Sequence, residues 1–108
     1  MSIHANLAPA HPELSHFAQS LHEQLQVRKE IVEDLAPRAA PHIDPIAWAT
    51  FESNRIVITE IRAALERLDN GTYGVCAHCG QQIPPARLEV VPYASACVSC
   101  QERTTRSS

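Results

Sequence analysis

The chain has few aromatic residues, few glycines and no block of basic residues. Its 108 residues include one tryptophan, two tyrosines, two phenylalanines and three glycines, and its formal net charge is −3. A chain with so few large apolar side chains builds a small core, which gains from a metal cross-link because metal binding supplies folding free energy. The missing basic block argues against direct binding to DNA and against docking on an anionic membrane.

Long apolar runs are missing too. No stretch of the sequence approaches the roughly 20 apolar residues that cross a bilayer as a helix. The N-terminal sequence MSIHANLAPAHPEL has neither a basic segment nor a continuous apolar stretch, so it does not resemble a secretory signal peptide. We therefore expect a cytoplasmic protein with no membrane contact, and a monomer.

Four cysteines form two pairs with the same internal spacing. They are the only cysteines of the chain and lie in CAHCG and CVSC, with 17 residues between the pairs: Cys76, Cys79, Cys97 and Cys100. This C-x2-C…C-x2-C pattern is typical of a tetrahedral zinc site. Four thiolates fill the zinc shell and leave no position for water or substrate. The pattern therefore predicts one structural Zn²⁺ rather than a catalytic metal.

Other uses of the same cysteines are less favoured. Two disulfides require an oxidising compartment, which the N-terminal sequence does not indicate. Rubredoxin-like iron uses the same four ligands, and the spacing alone does not distinguish it from zinc. No Ser/His/Asp or Cys/His arrangement with a catalytic context accompanies the cysteines, so we do not expect an enzyme.

Two amphipathic helices precede the cysteines. The first is predicted from about Pro12 to Leu35, where apolar residues recur at steps of three and four. The following segment, APRAAPHIDP, contains three prolines and interrupts this pattern. Asp44 and Pro45, at the end of that segment, have the residue types of a helix N-cap and of a first helical position.

The second helix carries an apolar stripe of its own and ends at Asn70-Gly71, where glycine suits a left-handed C-terminal cap. The stripe steps by seven, four or three residues, as in a short coiled coil: Phe51, Ile58, Ile61, Leu65 and Leu68. Asn54 lies on the same seam, where a polar residue can fix the register of two helices. Neither helix buries its stripe alone, so the sequence predicts a mainly α fold. We expect an antiparallel two-helix coiled-coil hairpin with a C-terminal four-cysteine zinc finger and a short C-terminal helix.

The chain divides into four segments on this interpretation. Residues 1–11 form a flexible N-terminus, and residues 12–70 form the helical hairpin, with its tip near 36–46. Residues 71–103 form the zinc finger, and residues 104–108 form a flexible C-terminus. This division puts the metal at one end of the hairpin and the proline-rich turn at the other.

Inside the zinc finger, glycine and proline mark the expected turns. All three glycines surround the first cysteine pair, where a backbone that wraps a metal needs positive φ. Pro84-Pro85 and Pro92 are expected to delimit two short extended pieces that form a minimal hairpin. The sequence CVSCQERTTR favours a short helix at the C-terminal end.

Residues 64–103 resemble the C4-type zinc finger of the DksA/TraR family. The resemblance rests on a glycine–aromatic–glycine run before the first cysteine pair, on CxxCG and CxxCQ, and on Ile83, Arg87-Leu88 and Pro92. It implies that the four cysteines bind one structural zinc. It also implies a transcription regulator that binds bacterial RNA polymerase and inserts its hairpin tip through the secondary channel. In some members the alarmone ppGpp acts together with the regulator.

The tip of the hairpin is where this sequence departs from the family pattern. Long members carry D-x-x-D-x-A there, whereas this chain has Asp44, Ala47 and Ala49 at the matching positions. The resemblance makes Asp44, Ala47, Trp48 and Ala49 the candidate partner-binding residues. Asp44 has an alternative role as a helix cap, and Trp48 as a residue that packs the turn. The missing second acid leaves another function open: a zinc-stapled protein-interaction module of the same fold, without the family's transcriptional activity.

Overall fold

A helical hairpin and a small cysteine-containing module make up the part of the chain that the structure describes. The structure is a computed structural model and describes residues 12–107. Its elements are, in chain order, α1 (Pro12–Leu35), a 3-10 turn (Ala36–Arg38), α2 (Pro45–Asn70), α3 (Pro85–Val90) and α4 (Val98–Ser107). Within this range there is no strand, and a single antiparallel bridge joins Val75 to Gln82. The predicted mainly α fold is confirmed.

The helices α1 and α2 pack side by side and run in opposite directions. Leu21 and Ile61 share a fully buried cluster. Seven residues further along α1, Arg28 meets Asn54, which lies seven residues earlier in α2. Moving seven residues toward the end of α1 therefore corresponds to moving seven residues toward the start of α2, which shows that the two helices are antiparallel and keep one register. The predicted hairpin is therefore confirmed.

The ends of α2 are fixed by the residues that the sequence indicated. The Asp44 carboxylate accepts a 3.0 Å hydrogen bond from the Ala47 N–H, and Pro45 follows Asp44 as the first helical residue. Gly71 ends the helix with φ +79°, and the Thr72 N–H donates to a carbonyl of the last turn at 2.9 Å. Asp44 is the N-cap and Gly71 the left-handed C-terminal residue, as predicted.

The buried seam of α2 includes residues that the predicted stripe omitted. Ile58 and Ile61 are buried as expected, but Ala47 and Ala64 are buried as well. Small side chains at a seam let two helix backbones approach each other closely. Alanine contributes little to hydrophobic periodicity, and this is why the stripe did not reveal these two positions.

A second cluster joins the base of the hairpin to the cysteine-containing module. Its buried members are Phe17, Cys76, Ile83, Leu88, Ala94, Ala96 and Cys100. The ring of Phe17, on α1, lies 5.7 Å from the ring of Tyr73 between centroids. The module thus packs against the start of α1 and follows the end of α2. The turn between the helices lies at the other end, about 35 Å away along a helix of this length.

The module contains less extended chain than the sequence suggested. Residues 85–90 form the short helix α3, with Pro85 in its first turn and Leu88 buried in the second cluster. The predicted pair of extended pieces is therefore wrong. Proline starts a helix as readily as it interrupts one, and a six-residue helix is too short for its periodicity to be recognised. The predicted C-terminal helix is confirmed as α4.

No helix in the described range combines the length and the apolar character that a membrane crossing requires. The flexible N-terminus predicted for residues 1–11 lies outside that range. Residues 104–107 continue α4, and the boundaries of the four segments stay predictions.

Candidate metal centre

The sulfur atoms of the four cysteines converge on one point. All four Sγ atoms lie within 4.8 Å of one another, and those of Cys79 and Cys97 are 3.9 Å apart. A zinc ion bonded to four thiolates at about 2.3 Å in a tetrahedron separates its sulfurs by about 3.8 Å. None of the four cysteines forms a disulfide, and the spacing of their sulfur atoms fits a tetrahedral metal rather than two disulfides.

The first cysteine pair lies on a tight turn that glycine makes possible. The Gly80 N–H donates to the Cys76 carbonyl at 3.0 Å, and the Cys76 N–H donates to the Gln81 carbonyl at 2.8 Å. Gly80 itself has φ +77°, a conformation that other residues adopt only with strain. The His78 N–H points at the Cys76 sulfur, 3.4 Å away. The His78 side chain is exposed.

The second pair is brought to the first by hydrogen bonds across the module. The Ala77 N–H donates to the Ser95 carbonyl at 2.8 Å, which ties the first turn to the segment before Cys97. Arg87, on α3, donates from Nε to the Ala96 carbonyl at 3.0 Å. Cys97 lies immediately before α4, and Cys100 lies in its first turn. These contacts help to place the two pairs next to each other.

Hydrogen bonds and burial shift the pKa values of Cys76, Cys97 and Cys100 in different directions. Hydrogen bonds from the backbone of Cys97 and then of Cys79 lower the pKa of Cys76 to about 5. A hydrogen bond from the backbone of Cys100 lowers the pKa of Cys97. Burial, followed by the neighbouring Cys97 sulfur, raises the pKa of Cys100 to about 12. The cluster therefore holds thiols of unequal acidity, and a bound divalent cation would favour the thiolate form of each ligand.

A cation lies next to the buried Cys100 thiol. The Arg103 guanidinium donates from Nη2 to the Cys100 sulfur at 3.0 Å. Four thiolates around one Zn²⁺ carry a net charge of −2, and a guanidinium at the edge of the cluster offsets part of it. Cys76 and Cys100 are buried, whereas Cys79 is exposed. The arrangement can hold one metal with a closed coordination shell.

One contact inside the module and one between the hairpin and the module escaped the sequence analysis. Tyr73 donates its hydroxyl hydrogen to the Pro92 carbonyl at 2.8 Å, and burial raises its pKa to about 12. The His16 ring nitrogen Nε2 lies 3.1 Å from a carboxylate oxygen of Glu89. His16 and Glu89 are separated by 73 residues, so no local pattern could have paired them.

The candidate tip residues lie at the far end of the hairpin and do not form one exposed cluster. The Asp44 carboxylate is engaged as the helix cap, and Ala47 is buried. Trp48 is half-buried, with its ring stacked on Phe51 at 6.0 Å between centroids. Ala49 is exposed.

The fold and the cysteine site together define a zinc-finger protein built on a helical hairpin. The family model of the prokaryotic dksA/traR C4-type zinc finger matches residues 71–106. The chain belongs to the DksA/TraR C4-type zinc finger family, and its cysteine site is the structural zinc site of that family.

Relatives and a solved structure extend the similarity beyond the finger. The chain is 40% identical over 83 residues to the RNA polymerase-binding transcription factor DksA of Caulobacter vibrioides (strain NA1000 / CB15N), covering 76% of this chain and 58% of that protein. It is 30% identical over 104 residues to the protein of the same name from Salmonella typhimurium, covering 82% and 69%. The solved structure of transcription factor DksA2 from Pseudomonas aeruginosa superimposes with a TM-score of 0.55 at 26% identity, over 89% of this chain and 80% of that one.

The chain is short relative to several proteins that it matches. It spans 35% of a protein from Aquifex aeolicus and 31% of general stress protein 16O from Bacillus subtilis. Those two matches cover about 50 residues each, whereas the matches to the DksA proteins from Caulobacter vibrioides and Salmonella typhimurium reach into the hairpin.

Proposed function

We propose that this chain is a cytoplasmic, zinc-stapled transcription regulator that binds bacterial RNA polymerase. It inserts its hairpin through the secondary channel of the polymerase and changes transcription initiation there. The observation that supports this best is a match of 76% of the chain to a relative named as an RNA polymerase-binding transcription factor. That match is long enough to include the hairpin as well as the zinc finger.

In this proposal the metal is a structural element and the chain is not an enzyme. Cys76, Cys79, Cys97 and Cys100 are its four ligands, and a closed four-thiolate shell offers no position for a substrate. The metal holds the module together at the base of the hairpin, because Cys76 and Cys100 are also members of the buried cluster that includes Phe17. Zinc thereby stabilises the base from which α1 and α2 project toward the docking tip.

The far end of the hairpin is the part that approaches the catalytic region of the polymerase. The candidate contact residues there are Asp44, Ala47, Trp48 and Ala49. No direct contact with DNA is needed for this action, and a chain with a net charge of −3 has little attraction for a polyanion. Any dependence on ppGpp operates through the polymerase rather than through a site on this chain.

Purified components provide the direct test of this proposal. The full chain, loaded with zinc, is incubated with purified bacterial RNA polymerase and recovered by affinity capture. A photo-crosslinking residue in place of Trp48 then identifies the polymerase segment next to the tip. We expect capture, and crosslinks to residues that line the secondary channel. An absence of binding would reject the function, and crosslinks confined to the outer surface would reject the secondary-channel route.

A second candidate function is supported by the tip itself. The second acid of the family pattern is replaced by Ala47, which is buried, and the remaining acid, Asp44, is engaged as a helix cap. A chain of this kind can bind its partner as an interaction module without altering transcription. In vitro transcription from several promoters distinguishes the two functions, because binding without any change in transcript yield favours the interaction module.

A further inference from the structure

The two most exposed large apolar side chains of the described residues belong to the hairpin tip. Ile43 is 85% exposed and Ile46 is 80% exposed, and they lie on either side of Asp44-Pro45. We refer to Ile43 and Ile46 as the apolar tip. Isolated apolar residues on a surface are ordinary, but two highly exposed isoleucines only three residues apart at the end of a projecting element indicate a contact surface.

The charged groups near the apolar tip already have partners. The Asp44 carboxylate accepts the Ala47 N–H, and Arg38 Nη2 lies 3.9 Å from the Asp34 carboxylate. Residues 39–51 include no lysine or arginine, and Asp44 is their only acid. The end of the hairpin therefore presents apolar surface with little free charge to guide a charged partner.

The two isoleucines are held in place by the local backbone. The N–H groups of Ile43 and Asp44 both donate to the Ala40 carbonyl, at 3.1 Å and 2.9 Å. Pro45 follows Asp44 as the first residue of α2, and its ring fixes its own φ angle. Ile46 comes next, in the first turn of the helix. A contact surface that is ordered before binding loses less conformational entropy when it docks.

We propose that the apolar tip is the surface through which the hairpin engages RNA polymerase, with Ile43 and Ile46 entering an apolar recess of that enzyme. This inference rests on the proposed function and specifies the chemistry of its contact. Asp44 acts mainly through the backbone, as the cap that holds Ile46 in place, and Ala47 lies buried beneath the contact. The missing second acid is then compatible with binding, because attraction comes from buried apolar area rather than from charge.

Two other occupants fit the apolar tip less well. A tip-to-tip contact between two copies buries four isoleucines, on the order of 400 Å² at roughly 100 Å² each. A stable protein interface needs about 1,200 Å² or more. An anionic membrane surface attracts lysine and arginine beside the inserted apolar residues, and residues 39–51 contain neither. A concave protein partner can surround both isoleucines and contact the helices beside them.

The test compares equilibrium binding of full-length variants to purified bacterial RNA polymerase. The test variant carries Ile43→Ser and Ile46→Ser, and the matched control carries Ile56→Ser, which removes an isoleucine that is 60% exposed on the side of α2. Zinc content and circular dichroism establish that each variant is folded. We expect the double variant to bind at least about tenfold more weakly, and the control to stay within about twofold of the wild type. Wild-type affinity should change little between about 0.1 M and about 0.5 M salt, because few charges take part.

Each other outcome overturns the inference in a recognisable way. Equal binding by the wild type and the double variant would reject the apolar tip while leaving the polymerase-binding function intact. A loss of binding in Asp44→Asn as large as in the double variant would assign the contact to charge instead. The wild type could instead dimerise in sedimentation experiments or bind neutral lipid vesicles. If the double variant loses that behaviour, the apolar tip would be assigned to a second copy of the chain or to a membrane. An absence of wild-type binding to polymerase would reject the proposed function, and this inference with it.

Discussion

The guanidinium of Arg28 donates a 2.9 Å hydrogen bond to Oδ1 of Asn54 and thereby joins α1 to α2. Asn54 is the one buried polar side chain among the described residues, at 6% exposure. Its amide nitrogen donates to the Thr50 carbonyl at 2.8 Å, so both ends of the amide have partners. A one-residue slip of either helix would separate the two groups and leave a buried amide without its partner. The pair therefore specifies the register of the hairpin.

Loss of one partner of this pair should cost more than loss of both. The variant Arg28→Met keeps an apolar stem of similar length but leaves Asn54 Oδ1 without its donor, and we expect a loss of about 1–3 kcal/mol in the free energy of unfolding. The double variant Arg28→Met/Asn54→Leu removes both polar groups and should be more stable than Arg28→Met alone. Chemical denaturation of the wild type, both single variants and the double variant gives the coupling energy. Strictly additive effects would show that the hydrogen bond does not stabilise the hairpin.

Features that depend on one residue and its neighbours could be predicted from the sequence. Pro12, Asp44-Pro45 and Gly71 act through their own backbone preferences, so the bounds of α1 and α2 followed from residue type. The cysteine spacing likewise identified a set of ligands whose sulfur atoms converge in the structure. In each case the physical cause is local, and the sequence displays it directly.

Features that depend on two distant residues could not be predicted in the same way. Arg28 and Asn54 were each recognisable as polar interruptions of an apolar stripe, but their pairing depends on the register of two helices. The contact of His16 with Glu89 depends on how the module docks. The exposure of the apolar tip also follows from the three-dimensional turn, because apolar residues in a sequence are more often buried than exposed.

The cap at the start of α2 should be sensitive to the hydrogen-bonding capacity of Asp44 rather than to its charge. Asp44→Ala removes the acceptor of the Ala47 N–H and should lower the stability by about 1 kcal/mol. The corresponding fall in melting temperature is about 5 °C for a protein of this size. Asp44→Asn keeps an acceptor at the same place and should melt close to the wild type. If both variants melt together, well below the wild type, then charge rather than capping stabilises this turn.

Loss of one exposed cysteine should release the metal without making a hole in the core. Cys79 is exposed, so Cys79→Ser removes a ligand while leaving the buried cluster around Phe17 complete. We expect the zinc content to fall from one ion per chain toward none, since three thiolates bind zinc more weakly than four. Hydrogen exchange should show lost protection at Cys76 and Ile83, with more retained near Ile61 in the separate hairpin cluster.

The neighbouring residue His78 supplies the control for the zinc experiment. Its side chain is exposed within the same turn, so His78→Ala should retain a full zinc content and the wild-type exchange pattern. A Cys79→Ser protein that keeps its zinc and its fold would contradict the four-cysteine assignment. Zinc and iron share this ligand set. Metal analysis of wild-type protein expressed in medium that contains both metals shows which of them the site binds.

The stability of the base of the hairpin should fall in alkaline solution because of Tyr73. Burial raises the pKa of its hydroxyl from 10.0 to about 12, and the protonated hydroxyl donates to the Pro92 carbonyl at 2.8 Å. The folded protein therefore holds this proton more tightly than the unfolded chain does. The stabilisation that this proton provides to the folded protein is fully present below pH 10 and is lost as the pH rises from 10 to 12. Because this side chain is partly exposed, we expect the loss to be about 1–2 kcal/mol after allowance for screening by water.

Comparison with Tyr73→Phe isolates this contribution from other groups that titrate at high pH. The variant lacks the hydroxyl and should be less stable than the wild type by about 1 kcal/mol below pH 10. The difference between the two proteins should shrink as the pH approaches 12, because the ionised tyrosine can no longer donate its hydrogen bond. Denaturation curves at several pH values measure that difference, and the phenolate absorbance of the wild type minus that of the variant gives the pKa of Tyr73. A difference in stability that stays constant up to pH 12 would contradict the role of the Tyr73 proton in stabilising the zinc module.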